Sequence, residues 1–219
     1  MHATVADPRV QQIPVTDCGE PLIQLSIGAP DLRLDHTETN LAHLGYTPDF
    51  RLREAVVRRI AQVQTRLDGQ YHLLIKECYR PLAIQTLYFD RYLSRLRTAH
   101  PELDETTLYH EAAKYVAPPE YATHVTGAAL DLTLLNHKGI ELDLGTVYDA
   151  SPGASNNACY TAAQNISREA QLHRAVLTAA LEAEGFINYP YEWWHWSYGD
   201  KYWAYGSHAE QAVYGPVSA

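Results

Sequence analysis

The sequence predicts an α+β fold, a small antiparallel sheet packed against helices, on three observations. Helical and strand-like segments alternate irregularly, without the repeated βαβ spacing of a parallel sheet. Two long segments carry apolar residues at helical period. A pair of strand-like runs, Ala128 to Leu134 and Ile140 to Leu142, flanks the turn His137-Lys138-Gly139, which is an antiparallel connection.

Taken in order, residues 1–20 are polar, carry Pro8 and Pro14 and show no period. They predict an N-terminal arm, loosely ordered, and leave 21–219 as one domain. Leu22 to Ile27 reads as a first strand. Thr47-Pro48 offers an N-cap with proline at the first helical position. Leu52, Val56, Ile60, Val63 and Leu67 then recur at helical spacing until Asp68-Gly69 ends the run. Tyr71 to Lys76 reads as a buried strand, and Pro81 begins the next element. Glu77-Cys78-Tyr79-Arg80 therefore lies at a strand-to-helix junction, before a helix from about Leu82 to Arg97. Pro101 to Glu120 reads as a helix followed by a Pro118-Pro119 turn. Ser151 to Asn157, rich in Ser, Pro, Gly and Asn, is a loop. A further helix sets Leu172, Ala175, Val176, Ala179, Ala180 and Ala183 on one face, with Gly185 as its stop, and Phe186 onwards reads as strand.

At 219 residues the chain is long enough for one core without disulfides or structural metals. With 46% hydrophobic and 20% charged residues it is neither disordered nor fibrous. A formal charge of −9 argues against nucleic acid, whose binding needs basic patches to displace counterions. No apolar run reaches the roughly 18 residues that cross a bilayer, and the first residues lack the basic-then-apolar pattern of a secretory leader, so the expectation is a soluble, cytoplasmic protein with no membrane partner. Cys18, Cys78 and Cys159 are odd in number and widely spaced, which excludes a disulfide framework and a thiolate metal site. The 11 histidines are unusual. So are 16 tyrosines beside 3 phenylalanines, which point to buried rings whose hydroxyls meet water or ligand. Nothing in the sequence fixes the oligomeric state, and a homo-oligomer is compatible with it.

Three segments could carry chemistry. In Thr123 to Thr133, Asp131 sits inside an otherwise apolar strand, where a carboxylate needs a cation or strong donors. A metal would answer that need, and Gly127 allows His124 to fold back to the same point. A structural His–Asp pair is the alternative. In Glu192-Trp193-Trp194-His195-Trp196, His195 fits a third metal ligand and Glu192 the non-ligand carboxylate that takes a proton from water in a zinc hydrolase. The alternative is an aromatic core strand. Nine of the 17 residues from Tyr189 to Tyr205 are aromatic, so a carbohydrate-binding surface is a rival of another class. Arg80, at the strand end, could stabilise an oxyanion or make a surface ion pair.

In this order, C-Y-R-P, H-V-T-G-A-A-L-D-L-T and E-W-W-H-W resemble the D-alanyl-D-alanine dipeptidases of the vancomycin-resistance type, a branch of the zinc D,D- and L,D-peptidases that act on cell-wall peptides. The likeness runs from about Leu22 to Tyr205 and includes Asp143 to Asp149 and the G-F-I-N-Y-P lead into the last motif. The resemblance implies a single zinc peptidase domain with one zinc per chain, held by His124, Asp131 and His195. It implies Glu192 as catalytic base, Arg80 as the arginine that stabilises the transition state, and Asp149 as the acid that holds the free ammonium of a dipeptide. Two positions depart from the pattern. Ala122 stands where the family usually has serine, and Asp35 where it has a tyrosine five residues before an asparagine, here Asn40. Asp35 and Asp149 together could favour a cationic group on the substrate, or Asp35 could be a loop acid facing solvent. The expected function is zinc-dependent hydrolysis of D-alanyl-D-alanine or a related small dipeptide. A D,D- or L,D-carboxypeptidase, or a peptidase cleaving longer peptidoglycan peptides, is the alternative on the same site.

Overall fold

The structure is a computed structural model and describes residues 2–217. Its elements in chain order are α1 (Pro8–Gln11), β1 (Leu22–Gln24), α2 (Leu25–Gly28), β2 (Arg33–Leu34), α3 (Glu38–Leu44), β3 (Arg51–Arg53), α4 (Glu54–Arg66) and β4 (Tyr71–Glu77). They continue with α5 (Leu82–Ala99), α6 (Glu105–Ala112), β5 (Ala129–Asn136), α7 (Arg168–Glu182), β6 (Ile187–Asn188), β7 (His195–Ser197) and α8 (Lys201–Ser207), with a 3-10 turn at His124–Thr126. No helix among the described residues is long and apolar enough to cross a membrane.

The α+β class holds. Five strands form the main sheet in the order β2-β4-β5-β7-β6, and β1 pairs with β3 apart from it. The sheet is not wholly antiparallel: β2 runs parallel to β4, because α3, β3 and α4 intervene as a crossover. At its centre β5 is buried along Ala129 to Leu135, covered on both faces, which is why it reads as a near-continuous apolar run.

Four expectations shift for tertiary reasons. The helix expected after Thr47-Pro48 begins only at Glu54. Arg51–Arg53 is a strand instead, held by the Arg53 guanidinium on the carbonyls of Thr126 (2.8 Å) and Glu20 (2.6 Å) and on Asp17 (2.9 Å). The first strand stops at Gln24, where α2 takes over. Ile140 to Leu142 contributes only an isolated bridge between Leu135 and Glu141. On α7 the buried face is Ala170, Arg174, Leu177, Ala180 and Leu181, whereas Leu172 is 56% exposed. The face is disguised because Arg174 lies within it, donating to the carbonyls of Leu144, Tyr160 and Ala158 at 2.7 Å each.

The N-terminal lead-in is not loose. Ala3, Val5, Ala6 and Val10 are buried, and Ala3, Val5 and Val10 pack with Tyr189, Tyr191 and Tyr202 in a second core cluster. Polar composition concealed this packing because its anchors are backbone carbonyls, which no side-chain pattern reveals.

Candidate active site

Sheet register assembles the site. Asp131 on β5 is the Cα partner of His195 on β7 and of Glu77 on β4, so three functional side chains form one row across three strands. His124 arrives from the 3-10 turn, which closes on Gly127 in the left-handed region. At φ 68° glycine turns the chain back here without the strain an L side chain would bring.

The three expected ligands converge. Asp131 Oδ1 lies 2.9 Å from His195 Nδ1 and 3.2 Å from His124 Nε2, and the two imidazole nitrogens are 3.1 Å apart. All three residues are buried. The His124 Nδ1–H donates to the Cys78 carbonyl at 2.7 Å, because a carbonyl can only accept, and this leaves Nε2 with a lone pair towards the cluster. His195 Nε2 meets Thr123 Oγ1 at 3.0 Å, and the Tyr148 hydroxyl donates to Asp131 Oδ2 at 3.1 Å. Metal–ligand bonds of about 2.0–2.1 Å at tetrahedral angles would place ligand atoms roughly 3.3 Å apart. The observed triangle and its N,N,O donors therefore fit a catalytic metal.

Glu192 occupies the turn before β7. Its backbone N–H donates to Tyr189 O (2.9 Å), its carbonyl accepts from Asn188 Nδ2 (3.0 Å), and its side chain lines the same cavity as the three ligands. Burial, with the charges of Asp131 and Asp149, pushes its carboxyl well above the usual range, while Arg80 opposes them. A carboxyl shifted upward is the better proton acceptor near neutral pH.

Arg80 also lines the cavity, but it is not a free arginine. Its Nε and Nη2 each lie 2.6 Å from a Glu77 oxygen, its Nη1 donates to Gln85 Oε1 at 2.8 Å, and the Tyr88 ring stacks over it at 4.8 Å. Three of its five N–H donors are engaged, so two remain for a ligand. Glu77, fully buried, accepts a further bond from the Tyr46 hydroxyl. Burial raises the Glu77 carboxyl, but Arg80 outweighs it and holds the group below the usual range. The Arg80 backbone N–H donates to His124 O (3.2 Å), tying the first motif to the second.

Asp149 faces the cavity in the left-handed region, at φ 56°. His43 Nε2 lies 2.7 Å from its Oδ2, and the Tyr115 hydroxyl donates to its backbone O (2.8 Å) and Oδ1 (3.1 Å). The bond to Asp149 raises the His43 imidazole above its ordinary value, against the effect of burial.

Asp35 lies elsewhere. It is 5% exposed and pairs with Lys76 Nζ at 2.8 Å, with the Thr37 hydroxyl at 2.6 Å and the Thr37 N–H at 3.0 Å. It lines a groove with Lys76 and Glu141 that shares His43, Tyr148 and Asp149 with the metal cavity, and at this burial it is not a solvent-facing loop acid. Ala122 does line the cavity. The aromatic segment is core: Trp193, Trp194 and Trp196 are almost wholly buried, which leaves those rings no face for a sugar.

Sequence reasoning missed Glu77, Tyr46, His43, Tyr115 and Tyr148. The excess of tyrosine over phenylalanine was the available signal, since these hydroxyls bond the functional carboxylates.

A profile described as D-ala-D-ala dipeptidase matches residues 52–213. A D-alanyl-D-alanine dipeptidase from Synechocystis sp. is 30% identical over 236 residues, covering 94% of this chain and 95% of its own length. One from Enterococcus faecium is 29% identical over 138 residues, covering 60% and 64%. Among solved structures, a vancomycin-resistance D,D-pentapeptidase in complex with Zn(II) aligns with a TM-score of 0.49 at 15% identity, covering 93% of this chain and 91% of its own.

Proposed function

The chain belongs to the D-Ala-D-Ala dipeptidase family of peptidases, and on that footing we propose that it uses one zinc ion per chain to hydrolyse D-alanyl-D-alanine or a closely related free dipeptide. The observation that carries the proposal is the convergence of His124 Nε2, His195 Nδ1 and Asp131 Oδ1 within 3.2 Å, on the wall of a cavity that also holds Glu192, Arg80 and Asp149.

His124, Asp131 and His195 would hold the zinc ion, which would supply Lewis acidity for the scissile carbonyl and for water. Glu192 takes a proton from the attacking water and passes it to the leaving amine. The two unengaged N–H groups of Arg80 are the donors available to the oxyanion that develops on the carbonyl, and Glu77 holds the guanidinium in place. Asp149 pairs with the free ammonium of the substrate, displacing His43 from Oδ2 or sharing it. The cytoplasmic location expected from the sequence is part of the same proposal.

The test is release of D-alanine from D-alanyl-D-alanine by the zinc-loaded protein, beside the N-acetylated dipeptide. Release from the free dipeptide, with the acylated one cleaved at least about a hundredfold more slowly, supports the assignment of Asp149. Equal cleavage of both favours the carboxypeptidase reading.

A further inference from the structure

An arginine pairs with a carboxylate along either of two edges of its fork. Side-on, the acid takes Nε and one terminal nitrogen; end-on, it takes both terminal nitrogens. Glu77 holds Arg80 side-on, with Nε and Nη2 each 2.6 Å from one of its oxygens. The Tyr88 ring lies over the guanidinium at 4.8 Å, and the Tyr88 hydroxyl donates to Leu44 O. Neither contact takes a hydrogen of Nη1.

Gln85 does. It is the fourth residue of α5, 1% exposed, and its amide has a partner at each end. Oε1 accepts from Arg80 Nη1 at 2.8 Å, and Nε2 donates to Ala117 O at 2.7 Å. These partners permit one orientation of the amide, because a guanidinium only donates and a carbonyl only accepts. With Nη1 half spent on Gln85, one N–H stays free on each terminal nitrogen. Without Oε1, Nη1 would carry two unpaired donors in a cavity that also contains the carboxyls of Asp131, Asp149 and Glu192. Glu77 could then slide to the end-on edge, or the guanidinium swing towards one of those acids.

Resting on the dipeptidase reading, in which Arg80 serves the oxyanion, we propose that Gln85 is a positioning residue. It holds Nη1 so that Glu77 stays on the Nε edge and a donor on each terminal nitrogen is kept for the transition state. Gln85 acts through Arg80, by its acceptor oxygen, while the bond to Ala117 O keeps the amide from turning.

Two substitutions separate the two bonds. Gln85→Met keeps the volume and removes both, whereas Gln85→Glu keeps an acceptor for Nη1 in either protonation state and loses the donor to Ala117 O. In the zinc-loaded full chain acting on D-alanyl-D-alanine, Gln85→Met should lower kcat at least about tenfold with KM within about twofold of wild type, since the lost interaction is made in the transition state. Its zinc content should not change. Gln85→Glu should recover kcat to within about threefold of wild type. Equal losses in the two variants would assign Gln85 to the Ala117 segment and overturn the proposal, as would an unchanged kcat in Gln85→Met or a defect confined to KM. Absence of cleavage by the wild type is instead a failure of the dipeptidase reading. A second readout needs no turnover: proton NMR of the nitrogen-labelled protein, with the Arg80 signals assigned by their absence in Arg80→Lys. The two Nη1 protons should give separate signals in wild type and in Gln85→Glu, and merge in Gln85→Met. A merged signal in wild type, or separate signals in all three, overturns the proposal, and the wild-type measurement stands even if Gln85→Met does not fold.

Discussion

Asp131 and Asp35 are both buried carboxylates served by basic side chains, one on each side of β4, and they do opposite things. Asp35 meets an ammonium, a hydroxyl and an amide N–H, all donors, so its charge is answered within the protein. Asp131 meets two imidazoles, one of which keeps its proton on the carbonyl of Cys78 and presents a lone pair. A carboxylate oxygen and imidazole nitrogens converging in one place suit a cation from outside. A buried acid facing donors is a brace, and one facing other electron pairs is a binding site.

The largest expected effect comes from removing a member of the lone-pair cluster. His124→Ala should lose zinc on dialysis and fall to background turnover, and it should no longer gain stability from added zinc. For wild type that gain is roughly 3 kcal/mol at free zinc about a hundred times Kd. Stoichiometric metal in the variant would break the contrast between the two acids. Glu192→Gln comes next: kcat should fall at least about a hundredfold while metal content stays at the wild-type level. On the bracing side, Lys76→Met leaves Asp35 uncompensated and should cost about 3 kcal/mol in urea unfolding, with kcat per folded molecule unchanged. A drop in kcat would mean that the brace reaches the site.

The acid limb sharpens the same comparison. Burial raises the Asp35 carboxyl, but Lys76 and Thr37 outweigh it and hold it below its ordinary value. A depressed folded-state pKa means that the unfolded chain binds the proton first, so this stabilisation is complete at neutral pH and is lost as pH falls through the folded value. Asp35→Asn should therefore flatten the loss of stability below about pH 4, read by urea unfolding at stepped pH. The smallest effect is expected from Tyr148→Phe, which removes one bond to Asp131 Oδ2 and should weaken zinc binding about tenfold by competition with a chelator.

The lone-pair corner was legible because a charge in an apolar strand is conspicuous, and because glycine at 127 announces a chain reversal beside it. The burial of Asp35 was not legible, because its partner, Lys76, lies 41 positions away on a strand whose register no local pattern reveals. Arg80 was found and Glu77, three residues earlier, was not, since a carboxylate in a strand-end tetrapeptide does not show whether it points outward or clamps its neighbour. The class of fold followed from the pattern of elements, but the parallel β2 edge came from a crossover that the pattern did not order in space. The packing of Val5 escaped for a simpler reason: its segment looked like a tail, and tyrosines nearly two hundred residues away fasten it.

The row formed by Glu77, Asp131 and His195 bears on how this molecule folds. Side chains alternate faces along a strand, so a slip of one residue in the pairing of β5 would turn Asp131 to the far side of the sheet and bring Leu130 or Leu132 into its place. Assembly of the centre and correct threading of the chain are then a single cooperative event. Metal uptake during refolding should report the moment at which β4, β5 and β7 find their alignment, and a misthreaded chain would betray itself by failing to capture the ion.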